Sequence, residues 1–438
     1  MPALDLWMNG EHVAEWARDR RGVDVLRYRP EWLASVHVRA ISLSLPLLPD
    51  GGEHRGDVVD AFFENLLPDS EPIRRRMRQR FRTATTAAFD LLAEIGRDCT
   101  GAIQLMPHGE RPPPVQHITA EPLDDAGIAA VLRGLGAAPL PGQGGSDDAF
   151  RISIAGAQEK TALLRYHGRW CRPHGTTPTT HIFKLPLGLV GNMRADMSAS
   201  VENEWLCGEL LRAFGLPVAR AEIARFEDQK ALIVERFDRQ LSPDGRWWMR
   251  LPQEDLCQAL GLPPTRKYES DGGPGMRRIL ELLRQSAQPE DRATFLRTQI
   301  AFWLLAATDG HAKNFSLHLE RGGRFRLTPL YDVLSVYPIL GRSAGALDPH
   351  DAKLAMAVVG KNRHYRLLDI RRSHWNAMAR ACGFAEGADA WIDALVQRVP
   401  QALHEVSALL PDGFPARVRE SVFAGIEAAA KRIAAMPS

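Results

Sequence analysis

The chain has 438 residues, 45% of them hydrophobic and 25% charged, which is the usage of a folded globular protein and excludes a disordered or fibrous one. Its 55 Lys and Arg nearly cancel its 53 Asp and Glu, so the net charge of +2 excludes a surface that is cationic throughout, though not a local basic patch. Five cysteines, Cys99, Cys171, Cys207, Cys257 and Cys382, show no CxxC spacing; neither a disulfide framework nor a cysteine zinc cluster is expected, and a reducing cytoplasm is the expected setting. Asp5 and Glu11 break any early apolar run and no eighteen consecutive residues are apolar, so neither a secretory leader nor a membrane-spanning helix is expected.

Taken in chain order, the N-terminus reads as a β-hairpin. Leu4, Leu6 and Met8 alternate with polar or aromatic neighbours, Asn9-Gly10 supplies a type I′ turn, and the return strand covers 12–16. A helix is predicted over 58–67, closed by Pro68 and Asp69-Ser70. Ser70 and Pro72 then open a second helix carrying Arg74, Arg75, Arg76, Arg78 and Arg80. A third covers 87–95 and stops at Gly96. Residues 108–117 and 136–148 read as linkers, with one helix between them at 123–135. From 150 to 250 the pattern is strand-rich, with strands at 152–154, 162–166, 181–185, 221–226 and 231–237. One long helix, 200–214, interrupts them and is stopped by Gly215 and Pro217. Beyond 251 the periodicity predicts almost only helix, at 276–287, 292–306, 389–399, 402–409 and 415–435. The class is α+β: a β-rich lobe followed by an all-helical lobe.

The chemistry concentrates in ATDGHAKNFSLHL, 307–319, followed by LTPLYD, 327–332. Asp309 and Asn314 are separated as the aspartate and asparagine of the protein-kinase catalytic loop are. There the aspartate accepts or orients the proton of a hydroxyl nucleophile and the asparagine oxygen holds Mg²⁺. Asp332, a second carboxylate, arrives after a predicted hairpin with a Gly322-Gly323 turn and would bind the Mg²⁺ that bridges the nucleotide phosphates. Lys313 can neutralise charge on the transferred group. An isolated D-x-x-x-x-N is common in turns, so the upstream parts carry weight. They occur in kinase order. A strand–turn–strand at 152–164 has Gly156 between Ala155 and Ala157, a departure from GxGxxG that small flanking residues tolerate. Lys184 lies on the next strand. Glu202 and Glu204 on helix 200–214 are both candidates to pair with Lys184, Glu204 preferred. The strand at 231–237 ends at a hinge whose backbone, at Glu235 to Phe237, would meet an adenine edge. The glycine-rich KYESDGGPG, 267–275, carries no assignment.

These segments resemble a known family. RISIAGAQEKTALL, TPTTHIFKLP, VERFDR, LPQEDLCQALG, KYESDGGPG, ATDGHAKNFS and LTPLYD, with WMNGEHVAEW, FFENLLPDS, FDLLAEIGRD and LPDGFP, are similar to HipA, the serine/threonine kinase toxins of HipBA toxin–antitoxin systems, over essentially the whole chain. The resemblance implies a bilobal kinase fold: an N-terminal subdomain at 1–115, a linker with a short helix at 116–149, a kinase N-lobe at 150–250 and a helical C-lobe at 251–438. It implies ATP and Mg²⁺ as cofactors and a protein serine as acceptor, in glutamyl-tRNA synthetase for the best-known members, with growth inhibition and persistence as the outcome. By resemblance Asp309 is catalytic, Asn314 and Asp332 hold the metal, and Lys184 is the ATP lysine. Ile154, Ala155, Gly156, Ala157, Gln158 and Glu159 form the phosphate loop, and Glu235, Arg236 and Phe237 the hinge. Gly310, His311 and Tyr331 complete the nucleotide-binding set. Ser153 matches the autophosphorylated serine, whose roughly −1.5 to −2 charges would be repelled by nucleotide phosphates and switch the enzyme off. The implied partners are the antitoxin HipB and, through it, operator DNA. Candidate DNA contacts are the arginine run at 74–80 and the cluster Arg371, Arg372, His374 and Arg380. The rival readings are a small-molecule phosphotransferase and a non-catalytic pseudokinase.

Overall fold

Asn9 and Gly10 both take positive φ, 47° and 91°, the combination a type I′ turn requires, and strands Ala3–Met8 and Glu11–Arg18 close on them as predicted. The hairpin lies inside an antiparallel five-stranded sheet ordered Glu53–Arg55, Asp24–Tyr28, Glu11–Arg18, Ala3–Met8, Ile103–Pro107. One face of it buries Leu4, Leu6, Trp16 and Leu26 against Phe62, Phe63, Leu92 and Ile95, with Trp16 stacked on Phe63 at 3.7 Å. On the other face the buried Asp5 accepts from Gly109 N at 2.9 Å and meets ring nitrogens of His108 and His12 at 3.1 and 3.2 Å, which fastens the chain after the last strand. In this computed structural model the described residues are 2–48, 51–136, 158–191 and 194–438.

Two units gather these elements. The first contains 1–185, 224–264 and 316–325; the second contains 186–223, 265–315 and 326–438. In the first, the helix predicted over 58–67 runs only Asp57–Glu64. Asn65 Nδ2 donates to Ala61 O and to Leu262 O, both at 2.8 Å, and so spends its side chain on ending the helix. Helices Glu71–Phe81 and Ala88–Ile95 match expectation, the latter capped at Gly96. A second sheet runs Ala221–Phe226, Gln229–Glu235, His181–Lys184, Lys160–Tyr166, Arg169–Pro173, Ala120–Pro122. Helix Asp125–Gly136 packs Ile128, Ala129 and Leu132 onto its Leu163, Phe183 and Ile233.

The two sheets are joined by buried charge. Asp98 receives Arg239 at 2.8 Å, Arg250 at 3.1 Å, Arg236 at 3.3 Å, and the amide and hydroxyl of Thr179 at 3.0 and 2.7 Å. Asp238 pairs with Arg236 at 2.8 Å and accepts Gly101 N at 2.7 Å. Burial by itself would raise the Asp98 carboxyl; the three guanidiniums override it and hold the group well below the usual carboxylate range. Nearby, Glu254 accepts from Ser42 and from Leu43 N, and burial pushes its carboxyl up to about 8.

The second unit corrects the expectation of an all-helical lobe. Helices Ser200–Ala213, Met276–Leu282, Asp291–Leu305, Arg372–Ala381, Asp389–Ser407 and Ala416–Ala434 are joined by an antiparallel hairpin, Lys353–Val359 with Arg363–Arg366. Residues 354–358 are all buried, so the strand shows no alternation from which its period could be read. The two helices expected at 389–399 and 402–409 are one, with Pro400 inside it. Ile392, Leu395 and Val399 continue into Ala402, Leu403 and Val406 as a single buried face, and that packing overrides the hydrogen bond a proline removes. All five cysteines are free and buried, and among the described residues no helix is long and apolar enough to cross a membrane.

Asp98→Asn leaves three buried guanidiniums without their shared counter-charge, and should lower unfolding free energy by about 3–5 kcal/mol in urea titrations. An unchanged denaturation midpoint would show that the network is incidental.

Candidate active site

The catalytic segment begins where helix Asp291–Leu305 is made to stop. Ala306 adopts the left-handed region at φ 49°, and the N–H groups of Ala306 and Ala307 turn back to Trp303 O and Phe302 O at 3.2 and 2.8 Å. Ser335 Oγ donates to Leu305 O at 2.6 Å and Val336 N to Ala306 O at 3.1 Å, so the released carbonyls bind the segment that follows Asp332. That segment is also held by Asn203 of helix Ser200–Ala213, which exchanges two hydrogen bonds with Ser335 at 2.7 and 2.9 Å. Gly310 crosses the face of Phe302, where any Cβ would stand 2.6 Å from the ring. Phe302 rests on Phe315, and Phe315 on Phe295, giving the loop an aromatic floor.

On this floor the second unit brings together the residues the sequence singled out. Asn314 Nδ2 donates to Asp309 O at 2.8 Å and to Asp332 O at 3.5 Å, which ties both aspartates to one amide. With its nitrogen committed to carbonyls, the amide presents oxygen as its remaining polar atom. Asp332 itself has φ 60°, a conformation that costs a non-glycine residue about 1 kcal/mol or more and persists where its surroundings over-determine it. An amide oxygen and a carboxylate are the oxygen donors Mg²⁺ selects, so this pair fits that ion. Lys313 is buried and its carbonyl accepts the Tyr331 hydroxyl at 2.8 Å. His311 is buried too; burial lowers its imidazole below the ordinary value, and its Nδ1 has no hydrogen-bond partner. A neutral ring packed beneath the loop is its state at neutral pH. Glu202 and Glu204 are both buried on helix Ser200–Ala213.

The first unit holds the remaining candidates. Lys184 is buried on strand His181–Lys184, opposite Lys160 on one neighbour and Leu232 on the other. Gln158 donates to Leu185 O, Leu185 N to Glu159 O at 3.3 Å, and Glu159 forms an ion pair with Arg76 of helix Glu71–Phe81. Ser153, Ile154, Ala155, Gly156 and Ala157 lie outside the described residues. Glu235 ends strand Gln229–Glu235, and Phe237 meets the His318 ring edge-on at 5.7 Å. Between them Arg236 has a structural task. Its side chain lies in the Asp98 network and its N–H donates to Thr180 O at 2.9 Å, because a buried guanidinium needs its carboxylates.

Four of the candidate arginines are engaged within the chain, Arg75 with Glu71 at 3.1 Å, Arg76 with Glu159, and Arg74 and Arg372. Arg74 reaches Glu64 at 2.6 Å and Pro68 O at 2.6 Å. Arg372 is buried with both nitrogens on Asp393 at 2.8 Å, and His374 stacks on His364 at 3.7 Å. Arg372, one of the DNA-contact candidates, is thus engaged in an intramolecular ion pair. Arg75, Arg78, Arg80, Arg371 and Arg380 are exposed. The residue that spacing missed is Tyr268, from the unassigned glycine-rich loop, whose hydroxyl donates to Asp309 Oδ1 at 2.5 Å.

Comparison with known proteins bears on all of this. Residues 152–403 match the HipA-like C-terminal domain and residues 4–106 the HipA N-terminal domain. A Sinorhizobium fredii protein named as a kinase, Y4mE, is 33% identical over 422 residues, 93% of this chain and 94% of that one. A Shewanella oneidensis protein named as serine/threonine-protein kinase toxin HipA is 27% identical over 380 residues, 84% of this chain and 81% of that one. The structure of a Shewanella oneidensis HipA in complex with HipB and operator DNA covers 99% of this chain and 98% of its own at a TM-score of 0.78 and 24% identity. The fold is therefore the mixed α/β HipA-like kinase fold.

Asn314→Ala and Asp332→Ala should each cost Mg²⁺-dependent binding of a non-hydrolysable ATP analogue at least about tenfold by calorimetry, with metal-free binding little changed. Equal losses with and without Mg²⁺ would assign both residues to the fold instead of the metal.

Proposed function

The chain belongs to the HipA family, and on that premise we propose that it is a Mg²⁺·ATP-dependent serine/threonine protein kinase acting as the toxin of a toxin–antitoxin pair. The observation that carries the reading is the single Asn314 amide that ties Asp309 to Asp332 in the second unit. Asp309 orients the acceptor hydroxyl and takes its proton, and the oxygens of Asn314 and Asp332 hold the metal. Magnesium, when bound with ATP, neutralises the phosphate oxygens and withdraws charge from the leaving group. Lys184 anchors the phosphates. Glu235 and Phe237 supply the hinge, and residues 154–159 cover the phosphates. Ser153, at the start of that loop, is the proposed site of an autophosphorylation that turns the enzyme off by like-charge repulsion.

The same premise divides the chain into an N-terminal subdomain at 1–115, a connecting segment at 116–149, an N-lobe at 150–250 and a C-lobe at 251–438. The acceptor is a serine of a translation protein, with glutamyl-tRNA synthetase the first to test. HipB and its operator are the proposed partners, supported by their presence with the Shewanella oneidensis protein of the same fold. If the chain itself touches DNA phosphates, Arg75, Arg78, Arg80, Arg371 and Arg380 are the exposed arginines among the candidates.

Incubating purified protein and a bacterial lysate with γ-labelled ATP should label discrete proteins on serine. Asp309→Asn should reduce that labelling by about 100- to 10,000-fold with the fold intact by circular dichroism. Label confined to small molecules would favour a phosphotransferase, and absence of turnover a pseudokinase.

A further inference from the structure

The glycine-rich loop around Tyr268 has no part in the chemistry above, yet it is fastened to the catalytic segment at several points. Ala312 N donates to Lys267 O at 3.1 Å. The Tyr268 ring meets the His311 ring edge-on, 4.9 Å between centroids, and its hydroxyl donates to Asp309 Oδ1 at 2.5 Å. Behind it the loop returns against its own backbone: Gly273 N donates to Tyr268 O at 2.9 Å, and a Cβ on Gly273 would stand 2.6 Å from that same oxygen. The next residue, Glu269, accepts Ala357 N at 2.7 Å from hairpin strand Lys353–Val359. Tyr268 is thus held from both sides in one pose. In that pose it presents a carbon-bound hydroxyl to the carboxylate whose task is to receive one.

Beside this contact lies an open cavity of about 750 Å³, lined by Tyr268, Thr308, Lys353, Leu354, Ala355 and Arg366, among others. It belongs entirely to the second unit, and Tyr268 is its wall on the Asp309 side. Asp351 and Asp369 stand with Lys353 and Arg366 around it, and a lining charged in both signs suits a polar polypeptide segment.

We propose that Tyr268 is a specificity-determining placeholder: its phenol occupies the acceptor-hydroxyl position on Asp309 until a serine-bearing segment, entering through this cavity, displaces it. The proposal rests on the reading of Asp309 as the catalytic carboxylate. When serine takes the place of the phenol, its proton passes to Asp309 as its oxygen bonds the γ-phosphorus. The bond from that phosphorus to the oxygen of the departing ADP breaks. Water on Oδ1 could make the same attack, and a bound phenol takes that position on the exposed carboxylate, so ATP is spared until a protein acceptor arrives. A hydrogen bond to a charged group is the quantity an incoming hydroxyl must replace, and replacing it sets the discrimination at about tenfold or more.

Tyr268→Phe removes only the hydroxyl and keeps the ring against His311. Basal ATP hydrolysis should rise about tenfold, and so should phosphorylation of N-acetylserinamide, a small hydroxyl probe that needs no docking. A fall or no change in hydrolysis, or phosphotyrosine at 268 in the wild type, would overturn the proposal, since Tyr268 would then be a support or an acceptor. A second readout separates this from failure of the kinase reading. With 3-fluorotyrosine at 268, the ¹⁹F resonance should move on Asp309→Asn whether or not phosphate is transferred. A resonance indifferent to that change refutes the placeholder, whereas a moving resonance in a chain that turns over no ATP refutes the kinase reading alone.

Discussion

A carboxylate buried among three guanidiniums is the constraint on which the first unit depends. Asp98 ends the run GRD after helix Ala88–Ile95, and it draws in Arg236, Arg239 and Arg250 from the end of strand Gln229–Glu235 and beyond. Taken singly, any of these charges would be very costly in that interior. Together with Asp238, the backbone oxygens of Cys99 and Gly101 and the Thr179 hydroxyl they form one connected set of partners, in which Arg239 Nε alone has no hydrogen bond. The geometry of the VERFDR segment is consequently set by residues more than a hundred positions earlier. That same segment is the proposed hinge, so stability and the proposed nucleotide contact would draw on one network. At the turn of the first hairpin Asn9 adds a smaller tie of the same kind, exchanging two hydrogen bonds of 2.9 Å with the backbone of Arg250.

The second unit solves a different problem, which is to hold three polar side chains still at the end of a buried helix. It does so with backbone and apolar means. A left-handed alanine stops the helix, a glycine lets the chain pass over Phe302, and Ser335 and Asn203 pin the strand-like return after Asp332. Only then does one amide join Asp309 and Asp332. Preorganisation of this kind matters for phosphoryl transfer, in which the protein's part is positioning and charge stabilisation more than covalent chemistry.

Local features were legible in the sequence where the physics is local. The Asn9-Gly10 hairpin, the helix stopped at Gly96 and the five-residue separation of Asp309 and Asn314 are each decided within a few residues. What was not legible depends on partners far along the chain. Nothing near Arg236 announces that its side chain belongs to Asp98, so a hinge reading could not foresee its structural role. Arg372 looked like a basic surface residue because Asp389 and Asp393 come a full loop later. Residues 354–358 hid a strand because both faces are buried, and Pro400 suggested a break that a continuous apolar face repairs. Tyr268 is 41 positions from Asp309, and only the folded loop brings its hydroxyl to the carboxylate.

The proposed role of Asp309, serving a protein acceptor, has a direct test in cells. Phosphoproteomics after induction compares cells expressing the wild-type chain with cells expressing the Asp309→Asn chain. A small set of serine sites on translation proteins should be present with the wild type and absent with the variant. Indistinguishable phosphoproteomes, with ATP turned over by the purified wild type, would contradict that role.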